Sequence, residues 1–237
     1  MKKADIAEFY RRLAERNPHP ETELESGNTY QLLVAVVLSA QATDAGVNRA
    51  TRDLFRDVRT PAQMLALGEE GLKRHIRTIG LFNMKAKNVI ALSQALVDKY
   101  GGEVPADRDA LQALPGVGRK TANVVMNVAF GAETFPVDTH VFRVANRTGM
   151  APGRTPLEVE VGLERVIPGE FMLHAHHWLI LHGRYICKAR LPDCPRQAGR
   201  CTPTSTGPGR CVMTPWAGRS RRWTRWTPCS RSCTAAA

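Results

Sequence analysis

No stretch of the 237 residues is apolar for long enough to cross a bilayer: the longest run, Leu32 to Leu38, falls far short of the ~20 residues a spanning helix needs. The N-terminus, MKKADIAEFYRRLAER, carries Lys2 and Lys3, but acids then alternate with apolar residues at helical spacing and no apolar core follows. That pattern excludes a secretory signal and predicts a surface helix. Alternating apolar and polar runs bounded by turn residues are missing, as is any repeat of solenoid period. A soluble, cytoplasmic, all-α protein with no membrane partner is expected. At 43% hydrophobic and 23% charged, the composition excludes wholesale disorder.

One segment departs from that composition. Residues 197–237 contain no lysine, no acid, and no Leu, Ile or Phe; Val212 and Met213 are their only large aliphatic or thioether side chains. These 41 residues hold seven arginines, so they carry +7 of the formal charge of +11 and leave +4 for residues 1–196. They also hold Cys201, Cys211, Cys229 and Cys233, four of the six cysteines, and three of the four tryptophans. Too little apolar surface is present to offset ordering entropy, and disorder is expected here. The change after Arg196 is abrupt, and its Arg/Pro/Gly/Thr/Cys bias has the character of GC-rich coding DNA read in a shifted frame. A charge of this sign suggests a polyanionic partner, but most of it belongs to this tail and is discounted. Without a signal peptide, the clustered cysteines point to metal ligation or chance rather than a disulfide framework.

Residues 1–196 are punctuated as nine or ten short helices. Thr60-Pro61-Ala62-Gln63 and Thr155-Pro156-Leu157-Glu158 each place a capping Thr, a Pro at the first helical position and an amide or carboxylate three residues after the cap. Gly101, Gly131, Gly149 and Gly183 each follow an apolar-periodic stretch as C′ glycines. Tyr30–Ala40 and Thr121–Phe130 are apolar almost all round, which predicts central helices buried on every side.

Leu111 to Ala122 reads as the end of a short helix, a turn with Gly116 and Gly118, and the start of a buried helix: a helix-hairpin-helix. Glycines let the backbone approach a ligand closely, and the free N–H groups at the next helix start carry the positive dipole end. A DNA phosphate fits there without sequence preference. No strand precedes the motif and no third glycine follows at the required spacing, so it is not a dinucleotide fingerprint. Leu114, Gly116, Val117, Gly118, Arg119 and Thr121 are the candidate DNA contacts of this hairpin.

Lys120 sits in the first turn of the following helix, where desolvation and the helix dipole both work against its charge and favour a nucleophilic neutral amine. The plainer alternative is a phosphate contact beside Arg119. Phe135-Pro136-Val137-Asp138-Thr139-His140-Val141 returns a carboxylate soon afterwards. Asp138 or Thr139 caps the next helix, and Asp138 is also placed to move a proton at the nucleophile.

With these motifs in hand, LPGVGRKTA and VDTH resemble the endonuclease III family of helix-hairpin-helix DNA glycosylases, as do LSAQATD from Leu38, TIGLFNMKA from Thr78 and HHWLILHGRYIC from His176. The resemblance covers residues 1 to about 196. It implies a two-lobed α-helical fold, with a six-helix domain over residues 22–132, a second, iron-sulfur-type lobe from 1–21 plus 133–196, and a DNA cleft between them. It further implies a monomer that removes oxidised pyrimidines from double-stranded DNA and cleaves abasic sites, with Lys120 and Asp138 catalytic. Gln41 and Leu81 match residues that fill the gap left by a flipped nucleotide, an amide and an apolar wedge; taken alone, they read as a helix-surface residue and a core residue. His140 is implied as a further DNA contact. The alternatives are a monofunctional glycosylase that only activates water, against which Lys120 argues, and a non-catalytic DNA clamp.

His174, His176, His177 and His182 lack the acid of a zinc-binding HExxH and point to different helix faces. The family's 4Fe-4S cluster is held by a C-x6-C-x2-C-x5-C pattern. Cys187 and Cys194 reproduce its first step, but the next two positions are Gln197 and Pro203, with Cys201 the nearest substitute.

Overall fold

The computed structural model describes residues 1–190, 201–202 and 210–211. Among them are eleven helices: α1 (Lys3–Arg16), α2 (Thr29–Leu38), α3 (Asp44–Thr51), α4 (Leu54–Asp57), α5 (Pro61–Ile76), α6 (Phe82–Tyr100), α7 (Arg108–Gln112), α8 (Arg119–Phe130), α9 (Thr139–Thr148), α10 (Pro156–Val166) and α11 (Gly169–Tyr185). The body is all-α, as the absence of strand patterning predicts. In the tail, a two-residue antiparallel ladder pairs β1 (Cys201–Thr202) with β2 (Arg210–Cys211). The rest of residues 197–237, for which disorder is expected above, lies outside the described residues.

The apolar side chains form two cores. One collects residues from Leu24 to Val125 around α2, in which every residue from Tyr30 to Leu38 is buried. Two polar groups in that helix are satisfied internally. Tyr30 Oη lies 2.6 Å from Ser93 Oγ, and the Gln31 amide donates to the carbonyls of Phe55 and Val58 at 2.8 and 2.9 Å. The second core joins the chain's beginning to its later helices: Ile6, Phe9 and Tyr10 of α1 pack with residues from Phe135 to Cys187. Trp178 of α11 donates to the Asn17 carbonyl at 2.8 Å, which ties α11 to the end of α1.

The expectation of complete burial holds for α2 and fails for α8. Ala122 and Val125 enter the first core, but the buried residues Asn123 and Asn127 turn toward the second. Asn123 donates to Glu160 of α10 at 3.1 Å and Asn127 to the Leu173 carbonyl of α11 at 3.0 Å. This helix is amphipathic because it bridges two cores with different chemistry.

Gly101, Gly131 and Gly149 end their helices in the left-handed conformation. Gly183 does not: α11 runs on to Tyr185, and a Cβ at Gly183 would stand 2.8 Å from His140 Cβ. That glycine is therefore set by the close crossing of α11 and α9. Thr60 and Gln63 form the reciprocal capping box. At α10 only half of one forms, since Glu158 accepts from the amide of Arg154 rather than of Thr155.

Candidate active site and DNA interface

At the hairpin between α7 and α8, Gly116 has φ +76° and a Cβ there would stand 2.9 Å from Asn88 Cβ, so conformation and space both demand glycine. Gly118 has an ordinary φ and open space where a side chain would project. No side chain caps α8, and its first-turn amides face outward from Gly118. Leu114 and Val117 are buried in the first core. They anchor the turn, and their amides are spent inside it, Leu114 on the Leu111 carbonyl and Val117 on the Leu114 carbonyl, both at 3.1 Å, so neither is left as a DNA contact.

Arg119 is engaged elsewhere. Its guanidinium donates to the carboxylate of Glu160 through Nε and a terminal nitrogen, the latter at 2.7 Å, while Glu160 is buried and also accepts from Asn123. The residue before Lys120 is thereby fastened across to α10.

Lys120 follows in the first turn of α8, exposed to a cleft of about 930 Å³ whose walls include Gln41, Asp44, Lys120, Asp138 and His140. The desolvation expected from sequence is absent in this open cleft; the helix-terminal position remains. Asp138 is the N-cap of α9: one carboxylate oxygen accepts from the amides of His140 and Val141, both at 2.8 Å. The second oxygen has no partner among the described residues, so capping leaves half of the carboxylate available for chemistry. Sequence reasoning thus brings Lys120, Asp138, Gln41 and His140 to one cleft.

Gln41 and Leu81 share a rarer property. They are the non-glycine residues with positive φ among the described residues, at +54° and +59°. Such backbone costs of order 1–3 kcal/mol per residue and persists where surrounding structure enforces it. Leu81, at 61% exposed, is no core residue, and Gln41 lies in the α2–α3 turn rather than on a helix surface.

A smaller recess continues inward from Lys120 and Asp138, lined also by Ser39, His176, His177 and Arg184. Arg184 is held by Asp44 at 2.9 Å and by Glu23. His176 is buried at 1% exposure, and the His176 and His177 rings lie 3.8 Å apart. Both Nδ1 atoms are buried without a partner. A buried polar atom left unpaired costs about 1–3 kcal/mol. Burial holds His176 well below the usual imidazole range, followed by the charges of His177 and Lys120, and holds His177 down at about 4. These two residues were not singled out from sequence as site residues; their pairing on one turn of α11 was visible, their place in the recess that Lys120 lines was not.

Of the four positions that hold the family's iron-sulfur cluster, this sequence keeps cysteine at two, Cys187 and Cys194. Cys187 is buried and its Sγ accepts from Arg147 at 3.7 Å; Arg143 and Arg147 also bind the carbonyls of residues 183 and 187–189. Among the described residues no group of three or more His, Cys, Asp or Glu is placed to hold a metal ion. Cys194, Gln197 and Pro203 lie outside the described residues, as does the Cys201 side chain, and neither an amide nor a proline replaces a thiolate. The purified protein is expected to lack the broad iron-sulfur absorption near 400 nm, on the order expected for thiolate-bound iron. A band there that disappears in Cys187→Ser would show that the tail supplies the missing ligands.

Comparison with known proteins places this geometry. The family described as HhH-GPD superfamily base excision DNA repair protein matches residues 34–169. The chain is 58% identical over 194 residues to endonuclease III of Escherichia coli strain K12, covering 82% of this chain and 92% of that protein. It is 59% identical over 189 residues to endonuclease III of Rickettsia conorii, covering 80% and 90%. A solved structure of a trapped endonuclease III–DNA covalent intermediate superposes with a TM-score of 0.78 at 49% identity, covering 83% of this chain and 92% of that one. The chain belongs to the HhH-GPD superfamily of base excision DNA repair proteins. Within it, this is an enzyme similar to endonuclease III. No helix among the described residues is long and apolar enough to cross a membrane.

Proposed function

We propose that the protein excises oxidised pyrimidines from duplex DNA and then cleaves the abasic strand. The observation that carries this is the placement of Lys120 and the free oxygen of Asp138 on one cleft. The Lys120 amine attacks C1′ of a flipped nucleotide; the N–C1′ bond forms as the glycosidic bond breaks, and the base leaves with that electron pair and takes up a proton. Asp138 takes the proton that the attacking nitrogen must shed and stabilises the positive charge that develops on the sugar. The sugar ring opens to a Schiff base, loss of a C2′ proton drives out the 3′ phosphate, and water then releases Lys120.

The DNA backbone is held by the amides of Gly116 and Gly118 and the first turn of α8, with Thr121 and His140 beside it. Arg119 acts mainly as a brace through Glu160. The division read from sequence, residues 22–132 against 1–21 plus 133–196, is supported by one core drawn from Leu24 to Val125 and a second from Ile6 to Tyr10 with Phe135 to Cys187, and the substrate lies between the lobes. All of these groups come from one chain, so a monomer working in the cytoplasm suffices.

Borohydride reduction with duplex DNA containing an oxidised pyrimidine tests the reading: a covalent protein–DNA adduct is expected, and its absence with intact protein overturns the lyase. A glycosylase that only activates water would release base without an adduct.

The two left-handed residues are read as gap fillers, Leu81 propping the stack open and Gln41 meeting the orphaned base. Leu81→Gly relieves the backbone strain and removes the wedge. It is expected to melt no lower than the parent while excising base about tenfold more slowly, a barrier change of about 1.4 kcal/mol. Parent-like excision by this variant would exclude the wedge.

A further inference from the structure

The His176–His177 pair has no part in the chemistry assigned above. A purely structural role at this spot is better met by apolar side chains, which leave no orphaned nitrogens. Instead, two imidazoles sit on one turn of α11 with buried unpartnered Nδ1 atoms, at the recess that Lys120 and Asp138 share. His176 is also packed edge-on to Phe135, ring centroids 6.3 Å apart, which restricts its rotation. The charged groups lining the same recess are Lys120, Asp138, Glu21, Glu23, Asp44 and Arg184. Of these, Arg184 is neutralised by Glu23 and Asp44, and Asp138 spends one oxygen on its helix cap. Lys120 is left as the donor without a partner of its own among the described residues, and the second Asp138 oxygen and the buried Nδ1 atoms of His176 and His177 are the unpartnered atoms of the same recess.

We propose that His176 is a positioning residue for Lys120: its neutral imidazole accepts a hydrogen bond from the Lys120 amine when DNA closes the cleft, and so aims the nitrogen lone pair at C1′. The inference rests on Lys120 being the nucleophile. A neutral acceptor suits this task, because it holds an N–H without adding a second positive charge beside the ammonium form and without taking the lone pair. His177, whose ring lies tilted at 45° against that of His176, fixes the ring's orientation.

The test compares His176→Asn with His176→Leu, side chains of similar shape of which only the first carries an acceptor, alongside His176→Phe, which keeps a ring without nitrogens. Each is measured for melting temperature, affinity for duplex DNA with a reduced abasic-site analogue, and the single-turnover rate of borohydride-trapped adduct. Expected are melting temperatures for Leu and Phe at or above the parent, unchanged DNA affinity, and adduct formation at least tenfold slower, with Asn recovering most of the rate. Equal adduct rates for Asn and Leu overturn the proposal, whatever the fate of the Phe variant. An adduct with the parent protein but no loss in Leu sinks this role alone; no adduct with the parent sinks the Lys120 chemistry beneath it.

Discussion

Lys120→Ala is expected to form no borohydride adduct on any substrate and to release oxidised pyrimidines at least about a thousandfold more slowly, the loss of roughly 4 kcal/mol of transition-state stabilisation. Stability should change little, because the side chain is exposed and makes no bond that the fold uses. Binding to duplex DNA should survive, since the hairpin amides that grip the phosphate are untouched. The contrast separates three enzymes that share this fold. A lyase loses adduct and excision together; a water-activating glycosylase never formed the adduct and keeps excision; a passive clamp had neither. Retained trapping in Lys120→Ala would move the nucleophile elsewhere.

A second large effect is acid lability. His177 and His182 are both held down at about 4 by burial, His177 next by the charge of His174 and His182 by Arg16, and His176 is also held well below its usual range. In the unfolded chain these rings titrate near 6.5, so below that pH the unfolded state binds protons that the folded state refuses. Stability is therefore fully present above about pH 6.5 and is lost as pH falls toward 4. The two resolved rings alone amount to roughly 5 kcal/mol by pH 4.5, much of what a domain has to lose. Urea midpoints at pH 7.5, 6 and 4.5 should fall steeply, and His182→Gln should flatten the slope. A midpoint that holds steady from pH 7.5 to 5 would mean that the rings are protonated without cost in the folded protein.

What could be read from sequence was whatever is local. The Thr60 box, the glycine ends of α6, α8 and α9, and the turn at Gly116 follow from a few adjacent residues, and structure and sequence agree on them. Lys120 and Asp138 were legible because hairpin and helix cap are local signals lying close in the chain. The misses turn on contacts between distant segments or on exposure that only the fold reveals. Gly183 carried the sign of a helix end, yet its meaning is the approach of His140. Arg119 read as a phosphate ligand because Glu160 is invisible from position 119. Leu81 read as core because hydrophobicity alone does not tell a buried leucine from one held out on a left-handed turn.

The pairing of arginines around the site has a consequence for how DNA is held. Arg119 is neutralised by Glu160, Arg184 by Glu23 and Asp44, and Arg143 and Arg147 spend donors on carbonyls near Cys187. Arg119 and Arg184, with their charge already matched, displace few counterions from a duplex, and backbone amides displace none. The grip at the hairpin then adds little to the ionic-strength dependence of DNA binding. A repair enzyme that must inspect long stretches and commit rarely gains from holding DNA by dipoles rather than by charge.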